Sequence, residues 1–130
     1  MPDQAFGTDR RRRTGRLGED AACAELARTG MRVLARNCRT RAGELDAVAI
    51  DGDALVFVEV KTMRTGVHGG PERPVLAVGP RKQLQVRRLA RAWLAEASPP
   101  RYELIRFDVV GVLLDPGGHP LAIEHIRDAF

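Results

Sequence analysis

The sequence predicts an α/β fold in which helices cover a mixed β-sheet. Three observations carry that expectation. The segments run in the order α-β-β-β-α-β-β, an Asp51-Gly52-Asp53 link joins two β-rich runs, and an amphipathic, arginine-rich helix separates the third β-rich run from the fourth.

In the first helical segment, "LGEDAACAELART" (Leu17 to Thr29), Leu17, Ala21 and Ala24 form one stripe with Ala22 and Leu26 beside it. Gly30 is the expected stop, giving a helix of about three turns. "MRVLARNCR" alternates Met31, Val33 and Ala35 against Arg32, Leu34 and Arg36, as a short strand does. "ELDAVAI" and "ALVFVEV" then flank the Asp-Gly link, a strong local hairpin signal. Arg64 to Pro74 is rich in glycine and proline and reads as an irregular loop containing His68, with the Gly66–Gly70 portion placed to close over a substrate. In "PRKQLQVRRLARAWLAEA", Leu84, Leu89, Trp93 and Leu94 are expected broadly on one side of a helix, with Arg81, Arg87, Arg88 and Arg91 around the other. Pro80 suits its first turn and Ser98-Pro99-Pro100 its end. "YELIRFDVVGVLLD" reads as a long strand, Pro116 to Pro120 as a turn, and "LAIEHI" as a last short strand.

The chain of 130 residues has the length of one domain and 44% hydrophobic residues, which argues against general disorder. Residues 1–15, with the block Arg10 to Arg13, read as a flexible basic arm, and residues 16–130 as a single domain. A net charge of +4 favours an anionic partner. Cys23 and Cys38 lack metal-ligand spacing and are expected as reduced thiols in a cytoplasmic protein, although one disulfide stays open on the sequence alone. No apolar run approaches the ~20 residues of a membrane span, and the arginine-rich start lacks a secretion signal's apolar segment.

The chemistry concentrates in the hairpin. Alternation puts Leu55, Phe57, Glu59 and Lys61 on one face of their strand, and Glu44, Asp46, Val48 and Ile50 on one face of its partner. A tight turn at Asp51-Gly52 makes Asp46 and Glu59 diagonal neighbours; a wider one sets them directly opposite. Adjacent carboxylates raise each other's pKa unless a positive charge lies between them, and Lys61 or a divalent cation would supply it. Oxygen donors suit Mg²⁺ or Mn²⁺. The bland alternative is a solvated face of ordinary ion pairs, but Val48, Ile50, Leu55 and Phe57 give that face too much apolar area.

The ordered set "GELDAVA", "FVEVK", "PRKQ" and "RFDVV", with the opening "GRLGEDAA", resembles the small bacterial YraN family, also called UPF0102. That family is similar to the restriction-endonuclease-like nucleases, which include the archaeal Holliday-junction resolvases. The resemblance covers Arg16 to Phe130. It implies a PD-(D/E)xK core with Asp46, Glu59 and Lys61 as catalytic residues and the Val60 carbonyl as an extra metal ligand. It also implies that Glu19, from the first helix, completes the metal site, and that Gln83 is an accessory polar residue. Read on its own, Glu19 is a first-turn acid favoured by the helix dipole, and Gln83 an exposed glutamine. Glu44 lies on the Asp46 face one step further from the turn, near the mouth of the strand, where the open roles are touching metal-bound water, holding an arginine or simply starting the strand. Asp108 reads as a structural partner of Arg106 or a nearby loop.

Distributed positive charge next to such a site points to a nucleic acid, DNA before RNA. Arg39, Arg41, Arg64, Arg81, Lys82, Arg87 and Arg88 are the candidate phosphate contacts, with Arg10 to Arg13 a clamp or a free tail. The expectation is a Mg²⁺- or Mn²⁺-dependent nuclease, with branched or structured DNA implied only by the resolvase resemblance. Symmetrical cutting of two strands would need a homodimer. The alternatives are a non-catalytic nucleic-acid-binding protein retaining the nuclease fold, and an assembly protein whose charges only stabilise itself.

Overall fold

The computed structural model describes residues 2–65 and 73–130, with side chains from residue 9 onward. It is an α/β structure with one five-stranded mixed sheet in the spatial order β1-β2-β3-β4-β5. The elements are α1 (Pro2–Arg28), β1 (Arg32–Thr40), β2 (Gly43–Asp51), β3 (Ala54–Arg64), α2 (Pro80–Glu96), β4 (Leu104–Leu114) and β5 (Pro120–Ile126), with a short 3-10 turn at Pro74–Ala77. Neighbouring strands are antiparallel except β3 and β4, whose parallel pairing follows from the crossover through α2. The segment order is the one expected from the sequence. The Gly66–Gly70 loop and His68 lie outside the described residues.

One element boundary and one helix face differ from the sequence reading. Helix α1 begins at Pro2, so Arg10 to Arg13 belong to a helix rather than to an irregular arm. They are exposed, and nothing in "RRRRTGR" breaks the backbone pattern that the downstream stripe starts. Its other end is as expected. Gly30 takes φ +95°, and the N–H groups of Gly30 and Met31 donate to Ala27 O and Leu26 O, a Schellman cap. In α2, the residues turned to the sheet are Val86, Leu89 and Ala90, with Trp93 and Leu94 partly buried. Leu84 is 64% exposed: it lies about 200° around the helix from Val86, on the opposite face.

The two faces carry separate cores. Ala47, Ala49, Val56, Val58, Val110 and Val112 pack against Ala22 and Leu26 of α1. Leu45, Val48, Leu55 and Phe57 pack against α2, where the Phe57 ring meets Trp93 edge-on at 5.7 Å. Both cysteines are free thiols.

Two packing details set the geometry of the rest. The backbone of α1 comes so close to β3 that a Cβ on Gly18 would lie 1.8 Å from Thr62 Oγ1 and 2.7 Å from Thr62 Cβ. Only glycine lets the helix settle there, and Glu19 is the next residue. On the same face, Asp108 is fully buried. It accepts from Arg106 Nε at 2.8 Å and from the Asp128 N–H at 3.0 Å, and lies 2.7 Å from His125 Nε2. Arg106 also reaches Asp51 at 2.9 Å, so Asp108 is the centre of a structural network that ties β4 to the hairpin and the C-terminal turn. Burial would raise the Asp108 carboxyl, but the bonds from His125, Arg106 and Asp128 outweigh it and hold the group at about 2.

Gly18→Ala is expected to lower stability by about 1–3 kcal/mol through overpacking, measurable by urea denaturation. Because the Asp108 pKa is depressed on folding, its stabilisation is complete above about pH 4 and fades as the pH falls toward 2. Asp108→Asn should therefore cost about 3 kcal/mol at pH 7 and much less at pH 2.5, compared by chemical denaturation at the two pH values.

Candidate functional site

The pairing of β2 with β3 runs from Asp51↔Ala54 to Ala47↔Val58 and stops there. Gly52, at φ +59°, and Asp53 form the turn. This is the second of the two registers open in the sequence, and its next pair would be Asp46 and Glu59. Beyond that point β2 continues beside β1 to Gly43↔Thr40, while β3 continues beside β4 to Arg64↔Leu114. The sheet forks, and the two acids stand where it divides.

Local sequence explains how the fork is held. The Val60 N–H, no longer in the β2–β3 ladder, donates to Asp46 Oδ2 at 2.8 Å. A side chain replaces the missing main-chain acceptor. On the other side of β2, Asn37 falls opposite Asp46, between the pairs Arg36↔Ala47 and Cys38↔Leu45. Asn37 adopts φ +49°, a left-handed conformation that asparagine tolerates better than most residues. Strict alternation fails here: Leu45 joins the α2 core with Val48, although Ala47 joins the α1 core.

The fork also lets side chains from both faces meet. Glu59 is 7% exposed, and Lys82 from the first turn of α2 places its Nζ 3.2 Å from Glu59 Oε1. From the α1 side, Glu19 approaches Asp46. Asn37, with its amide nitrogen turned to the acids, donates to Glu19 Oε2 at 2.8 Å and to Glu44 Oε1 at 3.2 Å. Burial and then the Asp46 charge raise the Glu59 carboxyl to about 7. Burial raises Asp46 as well, against the bonds it receives from the Val60 N–H and its hydrogen-bond contact with Glu59. Burial and Asp46 likewise raise Glu19, with Asn37 opposing them. All three acids are held above their ordinary range.

The structure thus brings together Asp46, Glu59, Glu19 and the Val60 main chain, with Glu44 joined through Asn37. Lys61 is half-buried on β3, in register with Gly111 of β4, over which Pro74 and Val75 pack. Among the described residues Lys61 has no ion-pair partner, and the cation at the acid pair is Lys82. Gln83 donates its side-chain amide to Val78 O at 3.1 Å, bracing the turn before α2. The basic candidates divide. Arg39, Arg41, Arg81 and Arg88 are exposed. Arg64 donates to Thr14 Oγ1 at 2.8 Å and Pro116 O at 2.9 Å, and Arg87 lies over the Phe107 ring at 4.7 Å. Among the described residues no group of three or more His, Cys, Asp or Glu side chains has the arrangement of a metal-ligand set. Also among them, no helix is long and apolar enough to cross a membrane.

Sequence reasoning missed Asn37 and the inward role of Lys82. The polar Asn37 within an apolar-alternating strand was a signal for the first. Nothing in the helical pattern marks Lys82 apart from Arg81.

Fold and site together define a small α/β protein with a partly buried acid cluster at a divided sheet. Residues 18–112 match the family model described as uncharacterised protein family UPF0102, and the chain belongs to that family. A UPF0102 protein of Streptomyces griseus is 52% identical over 113 residues, covering 87% of this chain and 92% of its own. A UPF0102 protein of Syntrophus aciditrophicus is 47% identical over 118 residues, covering 91% and 88%, and one of Frankia casuarinae is 49% identical over 116 residues, covering 89% and 94%.

A raised folded-state pKa means that the Glu59 contribution to stability is present below about pH 4.5 and lost as the pH rises through about 7. Glu59→Gln should remove that loss. It is expected to be the more stable protein at pH 8 by on the order of 2 kcal/mol, with the gap closing near pH 4.5, as read by urea unfolding.

Proposed function

We propose that this protein is a divalent-metal-dependent nuclease with a restriction-endonuclease-like core that hydrolyses phosphodiester bonds, in DNA before RNA. The observation that carries the reading is the placement of Asp46 and Glu59 side by side where β2 and β3 part. Acids kept above their ordinary pKa by burial and by one another carry unfavourable negative charge that a hard cation would offset.

The donor chemistry fits Mg²⁺ or Mn²⁺. Asp46 and Glu59 would hold the ion, with the Val60 carbonyl and Glu19 as further oxygen donors. When bound, such an ion supplies Lewis-acid stabilisation of the phosphate and acidifies a water. The chain supplies the rest. Asp46 is oriented by the Val60 N–H, and Asn37 restrains Glu19, so the chain itself holds two of the carboxylates. Lys61, beyond Glu59 on the same strand face, would orient the attacking water or stabilise negative charge on the transferring phosphate. The exposed Arg39, Arg41, Arg81 and Arg88 would contact the phosphate backbone, and their positive charge supports a nucleic-acid substrate.

The second reading is a nucleic-acid-binding protein that retains the fold without cutting. It is favoured by the Lys82 ammonium already placed on Glu59.

A cleavage screen over linear, flapped, nicked and four-way DNA with Mg²⁺ or Mn²⁺ separates the two. The nuclease reading expects cleavage of at least one substrate, reduced by about 10²-fold or more in Glu59→Ala and in Lys61→Ala. Binding without cleavage by the wild type selects the second reading, and cleavage that persists in both variants places the activity outside this site.

A further inference from the structure

We propose that Lys82 is a built-in competitor for the metal position, holding the acid pair closed until a divalent cation replaces it. The proposal rests on the metal-dependent reading above and concerns the regulation of that site.

The contact is specific. Lys82 Nζ is 3.2 Å from Glu59 Oε1, and the Glu59 side chain is only 9% exposed, whereas that of Lys82 is 43% exposed. One partner is fixed in the sheet, and the other approaches from solvent on a flexible four-carbon stem. Lys82 is also in an unfavourable place for a cation. The first turn of α2 carries Arg81 and Lys82 and contains no acid, so the helix dipole and a like charge both oppose it. Glu59 compensates for that position.

Lys61, the lysine of the hairpin, has no such engagement among the described residues. The two lysines therefore differ in kind. Lys82 occupies the negative charge that a metal needs, while Lys61 leaves it open. An ammonium and a divalent cation cannot both neutralise one buried carboxylate, so binding of either weakens binding of the other. Lys82 can leave by rotation of its own side chain, with no movement of the sheet or helix.

Titration calorimetry of Mn²⁺ into the full chain tests this with four proteins: wild type, Lys82→Met, Lys82→Arg and Asp46→Asn. Lys82→Met is expected to bind Mn²⁺ about tenfold more tightly than wild type, equivalent to about 1.4 kcal/mol, and Lys82→Arg to stay near wild type. Asp46→Asn should lose most of the binding. Equal or weaker binding by Lys82→Met, with Asp46→Asn still impaired, overturns the competitor role and leaves the metal site standing. Binding unaffected by Asp46→Asn, or no binding by any of the four, removes the metal site and the proposal with it. Trace acetylation read by mass spectrometry gives an independent measure: Lys82 should become several-fold more reactive in saturating Mn²⁺, with an added lysine-containing peptide as the reference. A Lys82 reactivity indifferent to Mn²⁺ also overturns the proposal.

Discussion

A β-sheet that divides between two strands leaves main-chain donors without their ladder partners, and a buried N–H left unpaired costs more than most single contacts contribute. Here the Asp46 carboxylate takes the Val60 N–H, and the division becomes a stable feature of the fold. Everything at the candidate site follows from that bond. It fixes Asp46 in the fork and keeps Glu59 beside it, at the point where β2 and β3 stop pairing. Glu19 and Lys82 come from opposite faces of the sheet and meet the same acid pair.

Glycine at position 18 is the counterpart of this arrangement on the helix side. The close approach of α1 to Thr62 brings Glu19 within electrostatic range of Asp46, and the Asn37 amide restrains it there. A bulkier residue would lift the helix and carry Glu19 away with it. The acid cluster therefore depends on a residue that has no polar side chain at all. On the same sheet face, the Asp108 network is chemically unlike the cluster. Its carboxylate is satisfied by Arg106, His125 and a main-chain donor and sits far below the ordinary range, whereas the fork acids are held above it. One buried acid is saturated with donors; the others are short of them.

The order of elements along the chain, the hairpin and the pairing of Asp46 with Glu59 were legible because each is written in local pattern. Asp-Gly punctuates the hairpin, period-two alternation orients it, and both admissible registers bring the two acids together. What was not legible depends on angles and distances that a one-dimensional pattern does not carry. Leu84 follows the leucine spacing loosely, but the phase set by Val86, Leu89 and Ala90 turns it to solvent. Lys82 looks like one more basic residue of α2 until the helix is seated with its first turn over Glu59. Asn37 needed the knowledge that its backbone turns left-handed within β1. The start of α1 was hidden because an arginine block is equally compatible with a helix and with a solvated tail.

The hairpin's two-residue turn bears on the order in which the protein assembles. Asp46 and Val60 are 14 positions apart in the chain, while Arg106 must close a separation of 55 to reach Asp51 and Arg64 one of 52 to reach Pro116. Loop-closure entropy favours the short-range contact, so by that criterion the carboxylate pair comes together before β4 pairs with β3. Lys82, brought by a helix on the later crossover, supplies its positive charge only afterwards. The early hairpin thus carries an electrostatic penalty that acid or a divalent cation lessens, and this links the chemistry of the finished site to the speed at which the chain reaches it.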